Sequence, residues 1–98
     1  MIDLKLYKDQ VSELCKTLDV RKLYVFGSAV RDDFSEKSDI DFLLSFDDGS
    51  NQFRRYFKLK YGLENIFNRK CDLLMEDGIK NPLLSRYIHQ ERRIFYES

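Results

Sequence analysis

Three short pieces of this sequence carry side chains suited to chemistry on phosphate. They are Phe26-Gly27-Ser28, then, after ten intervening residues, Asp39-Ile40-Asp41, and later the aspartate of Lys70-Cys71-Asp72-Leu73-Leu74-Met75. A glycine lets the backbone turn tightly and approach a ligand closely, and a serine at a helix start offers a hydroxyl and an amide where phosphate is favoured. Gly27 and Ser28 therefore read as a phosphate clamp. Asp39 and Asp41, two apart on one strand, point to the same face about 6.6 Å apart along the backbone, within reach of a shared magnesium ion. If the strand holding Asp72 neighbours theirs, its carboxylate completes an all-oxygen cluster, which suits magnesium and not zinc. Two such ions about 3.5 to 4 Å apart can activate an attacking hydroxyl and stabilise a leaving pyrophosphate. Phosphoryl transfer depends mainly on positioning and charge, so it needs no nucleophilic Ser, Cys or His. The lone histidine, His89, reads as a surface or core residue with no chemical partner.

The elements that must position these residues follow from periodicity. Leu4, Tyr7, Val11, Leu14, Cys15 and Leu18 recur at helical steps, giving an amphipathic helix against one face of a sheet. Lys22 to Phe26 is a strand stopped by Gly27, with Ser28 capping a short helix, and residues 31 to 38 read as a short helix end and a loop. In Asp39 to Phe46, Ile40, Phe42, Leu44 and Phe46 share one face while Asp39, Asp41 and Leu43 share the other. Phe53, Tyr56, Leu59, Leu63, Ile66 and Phe67 mark the longest helix, Gln52 to Phe67, flanked by Arg54, Arg55, Lys58 and Lys60. Lys70 to Met75 is a third strand. Asn81-Pro82 caps a last helix whose buried face is Leu83, Leu84, Tyr87 and Ile88, and Arg93 to Tyr96 is a fourth strand. The alternation predicts an α/β (α+β) fold, a mixed β-sheet of about four strands packed against helices, with residues 1–98 as one domain.

Each motif has a plainer reading. Gly27-Ser28 alone is an ordinary strand-to-helix turn with a serine cap. Asp72 could pair with Lys70 or Arg69, and the basic residues of the long helix read as a solvated face, with a partner or RNA-facing surface as the alternative. Asp41 resists such a reading, because an aspartate inside an apolar strand is costly without compensation. A metal site is the simplest compensation.

Composition bounds the partners. Seventeen basic residues balance seventeen acidic ones, so no global field draws the chain to nucleic acid or an acidic membrane. No apolar run approaches eighteen residues and the first residues lack a secretory layout, which predicts a cytoplasmic protein without a membrane span. Cys15 and Cys71 stand far apart without a metal-binding pattern and read as buried apolar residues. The 14% of Phe and Tyr is accounted for by packing.

Gly-Ser, ten residues, Asp-x-Asp and a later strand aspartate together resemble the minimal nucleotidyltransferase family of the DNA polymerase β superfamily, over nearly the whole chain. The resemblance implies a polymerase β palm-like nucleotidyltransferase fold and Mg2+, one or two ions, held by Asp39, Asp41 and Asp72. It implies that Gly27 and Ser28 hold the triphosphate of ATP or another nucleoside triphosphate, that Arg31 matches the family's frequent Arg after Gly-Ser, and that Asp72 helps deprotonate the acceptor hydroxyl. Many relatives carry Gly after that Arg, where this chain has Asp32 and Asp33. Stand-alone members of this size resemble the antitoxin halves of modules whose partner is a HEPN-type ribonuclease toxin, which implies AMP transfer to a toxin tyrosine. Two alternatives stay open: a non-catalytic antitoxin acting by occlusion, and the catalytic subunit of an aminoglycoside-type nucleotidyltransferase. An oligomer is left open.

Overall fold

The structure, a computed structural model, describes residues 4–30 and 38–98. A short 3-10 turn, Leu4–Tyr7, leads into helix α1, Lys8–Thr17, followed by strand β1, Val20–Phe26, and a second 3-10 turn, Gly27–Val30. Strand β2, Ile40–Phe46, helix α2, Gln52–Phe67, and strand β3, Cys71–Met75, come next. A 3-10 turn at Glu76–Gly78, helix α3, Pro82–Glu91, and strand β4, Arg93–Glu97, complete the described chain.

The four strands form one sheet in the order β3-β2-β1-β4. β2 and β3 run parallel, while β1 is antiparallel to both β2 and β4. Parallel neighbours require a crossover, and α2 supplies it. This mixed α+β arrangement meets the expectation from the alternating pattern.

One face of the sheet carries the main core. Leu23 and Val25 of β1, Ile40, Phe42, Leu44 and Phe46 of β2, and Cys71 and Leu73 of β3 pack there against Val11 and Cys15 of α1 and Leu59, Leu63 and Phe67 of α2. These are the positions that strand alternation and helical spacing select, and both cysteines are free and buried as expected. In β4 the register slips by one residue between Leu23 and Tyr24 of β1, so Tyr96 and Phe95 both turn toward this core.

The opposite face is mixed. Register pairs Phe26 with Asp41, Tyr24 with Leu43 and Lys22 with Ser45, leaving one apolar island in polar surroundings. Ile88 of α3 seals that island with Phe26 and Leu43. Asn81 caps α3 through its side-chain oxygen, accepting from the amides of Leu83 and Leu84 at 2.9 and 3.3 Å. The expected buried face of α3 is otherwise corrected: Leu83, Leu84 and Tyr87 are 75%, 45% and 48% exposed. A sheet face interrupted by Asp41 and Asp72 offers no apolar surface wide enough to cover them.

α2 departs from expectation in two ways. Arg55, expected among solvated basic residues, is buried. Its guanidinium donates to the carbonyls of Leu18 at 2.8 Å, Asp19 at 2.7 Å and Ser50 at 2.8 Å, and to Asp48, and it lies 4.1 Å from the Phe46 ring centroid. It joins the turn before β1 to the turn before α2, where Asp19 and Asn51 adopt left-handed backbone at φ 55° and 52°. Phe53 and Tyr61, by contrast, are 79% and 60% exposed, forming an outward aromatic row with Phe57. Packing does not account for these rings, because spacing of four continues along the helix while the core stripe rotates away.

Candidate functional site

The site is built where β1 ends against β2. Phe26 and Asp41 are register partners, so the next residue, Gly27, turns the chain across the Asp41 side chain. Gly27 has φ +74°, and a Cβ there would overlap Asp41 Oδ2 and lie 3.3 Å from Asp41 Cγ. Two constraints thus demand glycine, a left-handed backbone and a close approach, and the close approach is to a carboxylate. Ala29 is buried and anchors the turn in the main core. Ser28 is half-buried and sits inside the Gly27–Val30 turn. α3 touches this turn as well.

Asp72 is the register partner of Asp41 across the parallel β2-β3 pair. Directly paired residues share a face, so both carboxylates stand on the mixed face of the sheet beside the Phe26–Leu43–Ile88 island. Asp41 is half-buried and Asp72 exposed. Asp39 is half-buried and precedes β2: the ladder starts at Ile40, whose amide donates to the Lys70 carbonyl at 3.1 Å. Its side chain is therefore not fixed by the strand pleat as a position within the strand would be. Arg31 lies outside the described residues.

Among the described residues no three His, Cys, Asp or Glu side chains converge closely enough to hold a metal ion. The donor set still fits magnesium in kind, since it consists of carboxylates only. The missing Cβ of Gly27 is what lets the Asp41 carboxylate lie against the turn. His89 takes no part: its Nδ1 meets the Ser85 carbonyl at 2.7 Å and its Nε2 lies 3.6 Å from Glu76.

A family model described as a nucleotidyltransferase domain matches residues 5–95. The chain belongs to this family. A protein of Methanocaldococcus jannaschii, provisionally named a protein adenylyltransferase, is 33% identical over 72 residues, covering 74% of this chain and 72% of the relative. The protein adenylyltransferase MntA of Thermococcus cleftensis is 30% identical over 78 residues, 80% of this chain and 78% of the relative. Among solved structures, one provisionally described as a minimal nucleotidyltransferase superposes with a TM-score of 0.79 at 27% identity, covering 94% and 95% of the two chains. A toxin–antitoxin structure with AMP-PNP superposes at 0.73 with 16% identity, covering 93% of this chain and 73% of that one, a likeness of fold. No helix among the described residues is long and apolar enough to cross a membrane.

Tyr56, Lys60 and Glu64 of α2 bond to the backbone of the strand that carries Asp72. Apolar spacing puts Tyr56 in the core stripe and Lys60 in the basic flank, yet their spacing of four, continued to Glu64, marks one helical stripe.

Proposed function

We propose that this nucleotidyltransferase transfers AMP from ATP to a hydroxyl on a protein, the tyrosine of a HEPN-type toxin, and so acts as an antitoxin. The observation that carries the chemistry is the pairing of Asp41 with Asp72 on adjacent strands, with Gly27 folded against Asp41. The adenylyl donor and protein acceptor are supported by the relatives named protein adenylyltransferases. The toxin is supported by fold neighbours solved as toxin–antitoxin complexes.

In this reading Gly27 and Ser28 hold the triphosphate, joined by Arg31, and Asp39, Asp41 and Asp72 would hold Mg2+. The bound ion would supply charge neutralisation at the α-phosphate and at the departing pyrophosphate. The Asp72 carboxylate accepts the proton of the acceptor hydroxyl. The hydroxyl oxygen then forms a bond to the α-phosphorus, while the bond from that phosphorus to the bridging oxygen breaks and pyrophosphate leaves with the electron pair. A domain this small borrows its acceptor pocket from the acceptor protein, and the exposed Leu83, Leu84 and Tyr87 of α3 offer contact surface for one.

Calorimetric titration with a non-hydrolysable ATP analogue and magnesium tests the nucleotide site. Binding that requires magnesium and disappears in the Asp39→Asn, Asp41→Asn double variant is the expected result; equal binding by both proteins would overturn the assignment. The same variant separates catalysis from occlusion. It should fail to neutralise the toxin, whereas full neutralisation would favour occlusion.

A further inference from the structure

Among the described residues β3 is an edge strand, paired with β2 on its inner side only. Such an edge leaves alternate backbone groups without strand partners. Here α2 supplies partners from three side chains. Glu64 accepts the Cys71 N–H at 3.0 Å, Lys60 donates to the Cys71 carbonyl, and the Tyr56 hydroxyl donates to the Leu73 carbonyl at 2.8 Å. Lys60 and Glu64 are themselves paired at 3.1 Å. The three recur every fourth residue, so they form one stripe along the helix, which serves as a substitute strand.

Cys71 and Leu73 flank Asp72, whose partner on the inner side is Asp41. We infer that Tyr56, Lys60 and Glu64 are positioning residues that hold β3 in register from outside, so that Asp72 stands opposite Asp41. This rests on the reading of Asp72 as a catalytic residue. Asp72 is exposed, so its place depends on the backbone that carries it. The clamp grips that backbone one residue before and one residue after. The Cys71 N–H, together with Lys60, holds the Glu64 carboxyl below its ordinary value.

The test compares Glu64→Ala, Glu64→Gln and Tyr56→Phe with the wild-type chain and Asp72→Asn, in AMP transfer from ATP to the toxin and in amide hydrogen exchange at Cys71. Glu64→Ala should quicken exchange at Cys71 and lower kcat about tenfold to a hundredfold, the scale of a misplaced catalytic group, with KM for ATP unchanged. Glu64→Gln, which still accepts the Cys71 N–H, should restore most of kcat, and Tyr56→Phe should fall between. Faster exchange at Cys71 with kcat retained, while Asp72→Asn is inactive, would overturn the positioning role alone. Loss of kcat that tracks lowered thermal stability equally in Glu64→Ala and Glu64→Gln would reduce the stripe to a structural prop. Wild-type turnover by Asp72→Asn would instead overturn the reading of Asp72 on which the inference rests.

Discussion

Replacing Gly27 by alanine should damage stability and the site together, because one methyl violates two constraints. At φ +74°, a residue with a Cβ is disfavoured by about 1–2 kcal/mol. The new Cβ overlaps Asp41 Oδ2, so Asp41 must leave its rotamer at a further cost of about 0.5–1.5 kcal/mol. Together these give a loss of roughly 1.5–3.5 kcal/mol. A small domain has about 5–15 kcal/mol in all, so the variant should fold, with its melting temperature lowered by about 10–20 °C. Urea unfolding reads the first effect and magnesium-dependent titration with an ATP analogue reads the second. Gly62→Ala is the comparison. Its Cβ would lie 2.6 Å from Leu14 Cδ2 and 2.9 Å from Cδ1, the movable end of a side chain, within a helix where alanine gains about 1 kcal/mol. Gly62→Ala should change stability by less than about 2 kcal/mol and leave nucleotide binding intact. If Gly27→Ala matched the wild type in both assays, the close approach of the turn to Asp41 would not constrain the site.

Arg55→Met removes the donor shared by the carbonyls of Leu18, Asp19 and Ser50 and should cost about 2–4 kcal/mol by urea unfolding; a change under about 0.5 kcal/mol, the level of an ordinary surface site, would contradict the buried role. Burial pushes the thiols of Cys15 and Cys71 up to about 12, so neither should react with a disulfide reagent at pH 8 until denaturant is added; rapid labelling of the native chain would refute this. Glu64 is held low by the Cys71 N–H and by Lys60. Its contribution is present above the unfolded carboxyl value of about 4.3 and is lost as pH falls through the lower folded value. Acid unfolding curves should therefore fall more steeply below that value for the wild type than for Glu64→Gln, and parallel curves would remove Glu64 from the linkage.

The sequence made strand and helix faces legible wherever one period dominates. α2 spans Gln52–Phe67 as its spacing requires, β2 alternates as expected, and Asn81 caps α3. What escaped depends on partners distant in sequence. Arg55 looks like its exposed neighbours Arg54 and Lys58 until two turns present carbonyls to it. Leu83 and Tyr87 look like core residues until the facing sheet proves polar at Asp41 and Asp72. Within the candidate site, Gly27, Asp41 and Asp72 stand out in the sequence by type and spacing, but their adjacency depends on β3 lying beside β2, which spacing alone does not decide. The entry of β2 at Ile40 leaves Asp39 ahead of the ladder, a one-residue boundary that a strand pattern does not resolve.

The proposed roles of Asp41 and Asp72 in moving AMP onto a protein are tested by incubating the chain with ATP labelled at the α-phosphate, magnesium and a purified HEPN-type toxin from the same source, in parallel with Asp41→Asn and Asp72→Asn. Label is expected on a toxin tyrosine with the wild-type chain, none without magnesium, and none with either variant. Toxin neutralised by the wild type without acquiring label, or labelled equally by the variants, would contradict these roles.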